Sequence, residues 1–136
     1  ESHVPQAIDA YRMAVSSKPD FVDAHLNLAF LYRSEGKMPE AVKRFEEVIR
    51  LRPEYAEANV NLGGLYANMG KLDQAEDEYE TAVQLKPNLA EAHDSLGLFY
   101  EMHRKDMVKA LASYRRYIEL GGHDERIERI VGQAGR

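Results

Sequence analysis

The sequence has no cysteine and no tryptophan, and no apolar run near the ~18 residues needed to cross a bilayer. Without cysteine there can be no disulfide scaffold, iron–sulfur cluster, thiolate zinc site or cysteine nucleophile. Cytoplasm and periplasm both stay open; a soluble protein with a slight lean to the cytoplasm is the expectation. Excess positive charge is also missing, since 18 Lys and Arg face 23 Asp and Glu for a net charge of -5. Nucleic-acid affinity comes from cations displacing phosphate counterions, so nucleic acid is not an expected partner, and neither is a membrane. No nucleophile, base and orienting residue form a recognisable set, and no glycine-rich phosphate loop follows a strand. The chain therefore reads as a non-enzyme with no cofactor.

What the sequence does have is a period. Tyr32, Tyr66 and Tyr100 stand 34 residues apart, as do Pro19, Pro53 and Pro87. Such a spacing means units that cannot bury their own apolar faces and must stack. The central unit reads Asn59-x-x-Leu62-Gly63-x-x-Tyr66, Ala75-x-x-x-Tyr79, Ala82, Pro87. The unit before it reads His25-x-x-Leu28-Ala29-x-x-Tyr32, Ala41-x-x-x-Phe45, Val48, Pro53, and the one after it His93-x-x-Leu96-Gly97-x-x-Tyr100, Ala110-x-x-x-Tyr114, Tyr117, Gly122. This pattern resembles the tetratricopeptide repeat over nearly the whole chain, with His25, Asn59 and His93 where that motif carries Trp. The resemblance implies an all-α fold: a right-handed α-solenoid of antiparallel helix pairs whose first helices line the concave surface.

Taken in order, Glu1 to Val4 is unpatterned and stands outside the expected fold. Residues 5–19 read as the second half of a repeat, led by Pro5 in a helix's first turn. Full repeats follow over 20–53, 54–87 and 88–122, and residues 123–136 hold a C-terminal capping helix. In all, seven helices in four layers are expected. Because the chain opens in mid-repeat, it is expected to be a piece of a longer protein. Asp20 reads as a helix start signal, and Gly36 and Gly70 as helix stops. Tyr100 to Ala110 spans one more position than Tyr66 to Ala75, so the loop 102–106, which lacks a glycine, is expected to carry the extra residue in a different turn.

First-helix residues pointing away from their own partner helix are candidates for ligand contact. These are Leu26, Asn27, Phe30 and Arg33, then Val60, Asn61 and Asn68, then Asp94, Ser95, Leu98 and Met102. An amide at Asn27 and again at Asn61 offers a donor and an acceptor to one residue of an extended peptide, whatever its side chain. The resemblance extends here to the asparagine ladder of superhelical members of the family, with Ser95 a weaker third rung. The plainer alternative is that these asparagines only solvate a helix surface. Asp23, Glu57, Glu91, Asp94 and Glu101 crowd the same region with Arg33 the only opposing charge, so a neutral to basic extended partner segment fits better than an acidic tail. First-turn acids also complement the helix dipole, which accounts for Asp23, Glu57 and Glu91 without any ligand.

His25 and His93 lie two layers apart, too far to share a metal, and read as packing residues in place of Trp. The stripe Ile8, Tyr11 and Val15 lacks its first helix, and a homodimer through this half repeat is one way to cover it. The function expected is a scaffold holding a partner segment in its groove. The alternatives are an accessory domain of a larger enzyme or a self-assembly module.

Overall fold

The computed structural model describes residues 3–135. Eight α-helices occur among them: α1 (Val4–Ser17), α2 (Val22–Ser34), α3 (Met38–Leu51), α4 (Ala56–Asn68), α5 (Leu72–Leu85), α6 (Ala90–Phe99), α7 (Met107–Glu119) and α8 (Glu125–Ala134). A half repeat, three full pairs and a cap make eight, so the expected seven is corrected. Val4, set aside in the sequence, is the first residue of α1. Among the described residues no helix is long and apolar enough to cross a membrane.

None of these helices, at 10 to 14 residues, would persist alone in water. They persist by packing in sequence: α2 on α3, α4 on α5 and α6 on α7 within repeats, and α1 on α2, α3 on α4, α5 on α6 and α7 on α8 between them. Leu28, Phe45, Leu62, Leu65, Phe99 and Tyr114 are sealed inside this stack. The first helix α4 also packs on the first helix α6, with no comparably extensive contact between α5 and α7. The array therefore bends with its first helices on the inner side.

Each first helix is closed through the carbonyl of its tyrosine. Lys37 N–H donates to Tyr32 O and Lys71 N–H to Tyr66 O, both at 2.8 Å, across Gly36 and Gly70 in the left-handed conformation (φ 74° and 77°). This is the Schellman closure, and glycine takes its left-handed residue without a Cβ clash. In the third repeat Asp106 N–H donates to Tyr100 O at 2.9 Å, one residue later. The extra residue is not in a loop. It is taken up in a π-helical turn over Tyr100–Arg104, after which Lys105 adopts the left-handed conformation at φ 56°. A non-glycine residue there costs about 1–2 kcal/mol. The π turn is anchored by Arg104, which binds Asp73 at 2.6 Å and Glu76 at 3.0 Å, and by the His103 ring stacked on Phe99.

Asp20 does not cap α2; Phe21 occupies that place with no side-chain bond, because Pro19 and Asp20 are used in a turn. Side-chain caps are made instead by Asp106 to Lys109 N–H and by Asp124 to Ile127 N–H.

The Trp positions of the motif behave differently from one another. His25 is buried, its Nε2 donating to Pro19 O at 2.7 Å while Arg44 donates to Nδ1 at 3.2 Å. His93 likewise reaches Pro87 O at 2.8 Å. Asn59 is too short for the equivalent contact; its Nδ2 donates to Glu78 at 2.9 Å, and its buried Oδ1 has no partner among the described residues. Burial pushes the Glu78 carboxyl above its ordinary range, an effect the Asn59 hydrogen bond partly offsets. A buried unsatisfied acceptor costs about 1–3 kcal/mol, so Asn59→His, which restores the reach toward Pro53 O, is expected to stabilise the protein by about 1 kcal/mol. A urea denaturation midpoint no higher than that of the parent would refute this.

Candidate functional site

The inner wall is built by α2, α4 and α6, and their equivalent positions are not alike. Phe30, Gly64 and Leu98 occupy the same place in successive repeats. Phe30 stands edge-on against Phe45, with the two ring centroids 5.5 Å apart, and Leu98 projects into solvent at 46% exposure. Between them Gly64 leaves a gap. A depression of about 180 Å³ lies there, bounded by Gly64 and Asn68 of α4, by Ser95 and Leu98 of α6, and by His103 of the π turn.

Tyr79, from the second helix α5, is part of its lining. The flat backbone at Gly63 lets the ring lie against α4, where a Cβ would be only 3.0 Å from it, and a Cβ on Gly64 would sit 3.6 Å from the hydroxyl. Among the described residues this hydroxyl has no hydrogen-bond partner. Burial pushes its pKa up to about 12, so it remains a neutral donor. The corresponding Tyr114 hydroxyl is already spent on Glu101 at 2.6 Å. Sequence reasoning missed Tyr79 because its spacing marks it as core. The signal was present in Gly63-Gly64, which removes two side chains in front of one ring.

Of the residues expected to meet a ligand, Asn27, Phe30, Arg33, Asn68, Leu98 and Met102 are exposed, and Leu26, Asn61, Asp94 and Ser95 are half-buried. Val60 is 5% exposed and belongs to the core, a correction to its expected contact role. The curvature that brings first helices together closes over this central position. The two amides also differ. Asn27 is unengaged among the described residues, whereas Asn61 accepts from Arg33 at 3.1 Å and donates to Glu57 O at 3.0 Å. Arg33 at the same time lies over the Phe30 ring, 5.0 Å from its centroid.

The acidic cluster is smaller than its residue count. Glu57 is paired with Lys86 at 3.0 Å, and that hydrogen bond holds its carboxyl below the usual range. Glu101 takes Tyr114 and Arg126, the tyrosine bond depressing its pKa most. Asp23 and Glu91 remain exposed, while burial, with Asp124 and Glu91 nearby, raises the pKa of Asp94.

On α1, Ile8 is buried and Val15 half-buried against the neighbouring repeat. Tyr11 is half-buried in the same way, so the core covers part of this stripe within the chain.

A sequence model of the tetratricopeptide repeat matches residues 32–97. No curated protein matches the chain. Among solved structures it is similar to a crystal structure of MamA, with 26% identity and a TM-score of 0.83 over 93% of this chain and 74% of that one. A thermophilic TPR protein of Thermus thermophilus shares the fold at 22% identity and a TM-score of 0.77, over 96% of this chain and 72% of that one. A second MamA structure does so at 23% identity and a TM-score of 0.74, over 88% of this chain and 68% of that one. Motif, stacking of helix pairs and these likenesses converge: residues 32–97 are tetratricopeptide repeat sequence, and the chain has the tetratricopeptide repeat fold, which in general serves as a scaffold for contacts between proteins.

Proposed function

We propose that the concave wall of α2, α4 and α6 holds an extended, neutral to basic segment of a partner protein. The observation that carries this reading is the depression at Gly64, which is lined both by Tyr79, whose hydroxyl is unpartnered among the described residues, and by the exposed apolar side chain of Leu98. A peptide laid along the wall places one side chain in the depression and offers a backbone carbonyl to Tyr79. Asn27 is free to take both backbone groups of a neighbouring peptide residue. Asn61 can do so only after losing Arg33, so its net contribution is smaller. Asp23 and Glu91 favour a ligand without excess negative charge.

With a few hydrogen bonds netting about 1 kcal/mol each, most of the affinity has to come from Phe30, Leu98 and Met102. Micromolar binding, about -8 kcal/mol, is expected. The test is selection of binders from a random peptide library, followed by titration of the selected peptides against the parent and the Asn27→Ala/Asn61→Ala double variant. Selected peptides should be poor in Asp and Glu, and the double variant should bind them roughly tenfold more weakly, about 1.4 kcal/mol, with unchanged helicity. Equal affinity would remove the ladder; a Gly64→Leu variant that still binds normally would remove the groove.

A further inference from the structure

The depression at Gly64 results from differences between repeats that coincide in one layer. Counting 34 residues back, Gly64, Ala67 and Tyr79 correspond to Phe30, Arg33 and Phe45. In that earlier layer Phe30 stands against Phe45, which has no hydroxyl to leave unmatched. Counting forward, Gly64 and Ala67 correspond to Leu98 and Glu101, and Tyr79, one residue further on, to Tyr114. There the Tyr114 hydroxyl donates to Glu101 at 2.6 Å. The middle layer combines a glycine that opens room, a tyrosine that adds a hydroxyl and an alanine that cannot accept from it.

The other polar groups around the depression are also unspent. Asn68, Tyr79, Ser95 and His103 line it, and none of these four side chains makes a hydrogen bond among the described residues. Tyr79 is only 6% exposed, so water is a poor substitute for a partner. His103 is set in place by the π turn, its ring stacked on Phe99 with centroids 5.7 Å apart. Turns of this kind recur at functional sites. Among the described residues no Lys, Arg, Asp or Glu lines the depression. The lining thus offers donors and acceptors together, without charge, beside the apolar side chain of Leu98.

We propose that the depression selects a glutamine side chain of the bound segment. This rests on the groove reading and names the residue that fills the depression. In that reading the Tyr79 proton goes to a main-chain carbonyl, which leaves the hydroxyl oxygen free to accept. A primary amide donates two N–H groups, matched by Tyr79 Oη and Asn68 Oδ1, and its carbonyl accepts from Ser95 or His103. The methylenes of glutamine cover Leu98, and asparagine, one methylene shorter, reaches less far. Leucine would cover the four polar groups and answer none of them, at the cost of their desolvation. Glutamate brings a charge and no donor, lysine a charge and no acceptor, and neither meets a counter-charge in the lining. Tyrosine has one hydroxyl for four groups.

The test takes a peptide selected on the parent protein and replaces each position in turn by Gln, Leu, Glu and Lys, with affinities measured by titration. At one position Gln should bind roughly tenfold more tightly than the other three, the worth of one or two hydrogen bonds. The Asn68→Ala/Ser95→Ala double variant and Tyr79→Phe, checked for helicity by circular dichroism, should each cut the Gln-to-Leu ratio below roughly threefold. Both affinities are taken on one protein, so a general weakening of the wall cancels from the ratio. Peptides that bind with no position favouring Gln, or a ratio that either variant leaves unchanged, would overturn this inference and leave the groove reading standing. A library that yields no binder overturns both.

Discussion

Tyr114→Ala is expected to lower stability by about 3–5 kcal/mol, the usual cost of emptying a buried aromatic site. Its ring has no exposure and fills the notch at Gly97. Its hydroxyl holds Glu101, which in turn binds Arg126, so one side chain joins α7, the π turn and α8. A domain of this size has only about 5–15 kcal/mol in total, and the loss should fall on the C-terminal layers first because repeats depend on their neighbours. Urea denaturation followed by circular dichroism should show an early loss of part of the helical signal before the main transition. Tyr114→Phe, keeping the ring, should cost about 1.5–3 kcal/mol through the carboxylate bond alone. A shift of less than about 1 kcal/mol for the alanine variant would mean that the ring is not packed as described.

Gly97→Val is expected to cost about 3 kcal/mol, at the upper end for overpacking. Even a single Cβ at this position would be 2.6 Å from two ring carbons of Tyr114 and 3.3 Å from the Ser113 Cβ. The ring is enclosed and cannot swing aside, so the helices have to separate. The same substitution at Gly132 is an internal control. It occupies the corresponding place in α8 but meets open space, and it should change monomer stability by less than about 0.5 kcal/mol. Equal effects at the two glycines would show that the penalty comes from helix propensity and not from the close approach to Tyr114.

The repeat is legible in the sequence because its determinants are local and recur. Tyr32, Tyr66 and Tyr100, the small residues Ala29, Gly63 and Gly97, and the closing Gly36 and Gly70 each announce a helix, a close approach or a stop. What escapes a sequence reading is any outcome decided by a neighbouring layer. Val60 sits where Leu26 and Asp94 sit, yet only its position is shut inside, because exposure there is set by curvature. Asn61 looks like Asn27 in sequence, but Arg33 from the preceding repeat occupies it. Tyr79 reads as core at its own position and reaches the groove only through glycines on another helix. Lys105 gives no sign of a left-handed residue, since lysine seldom takes that conformation.

The hydrogen bonds to the three tyrosine carbonyls show what the array holds constant from layer to layer. It is a point in space where one carbonyl finds its donor, reached after five residues in two layers and after six in the third. Length is thus a loose variable and registration a strict one. A solenoid organised this way can gain a residue at a hairpin tip without displacing the layers beyond it, so its units are free to diverge in number while the pile keeps its pitch.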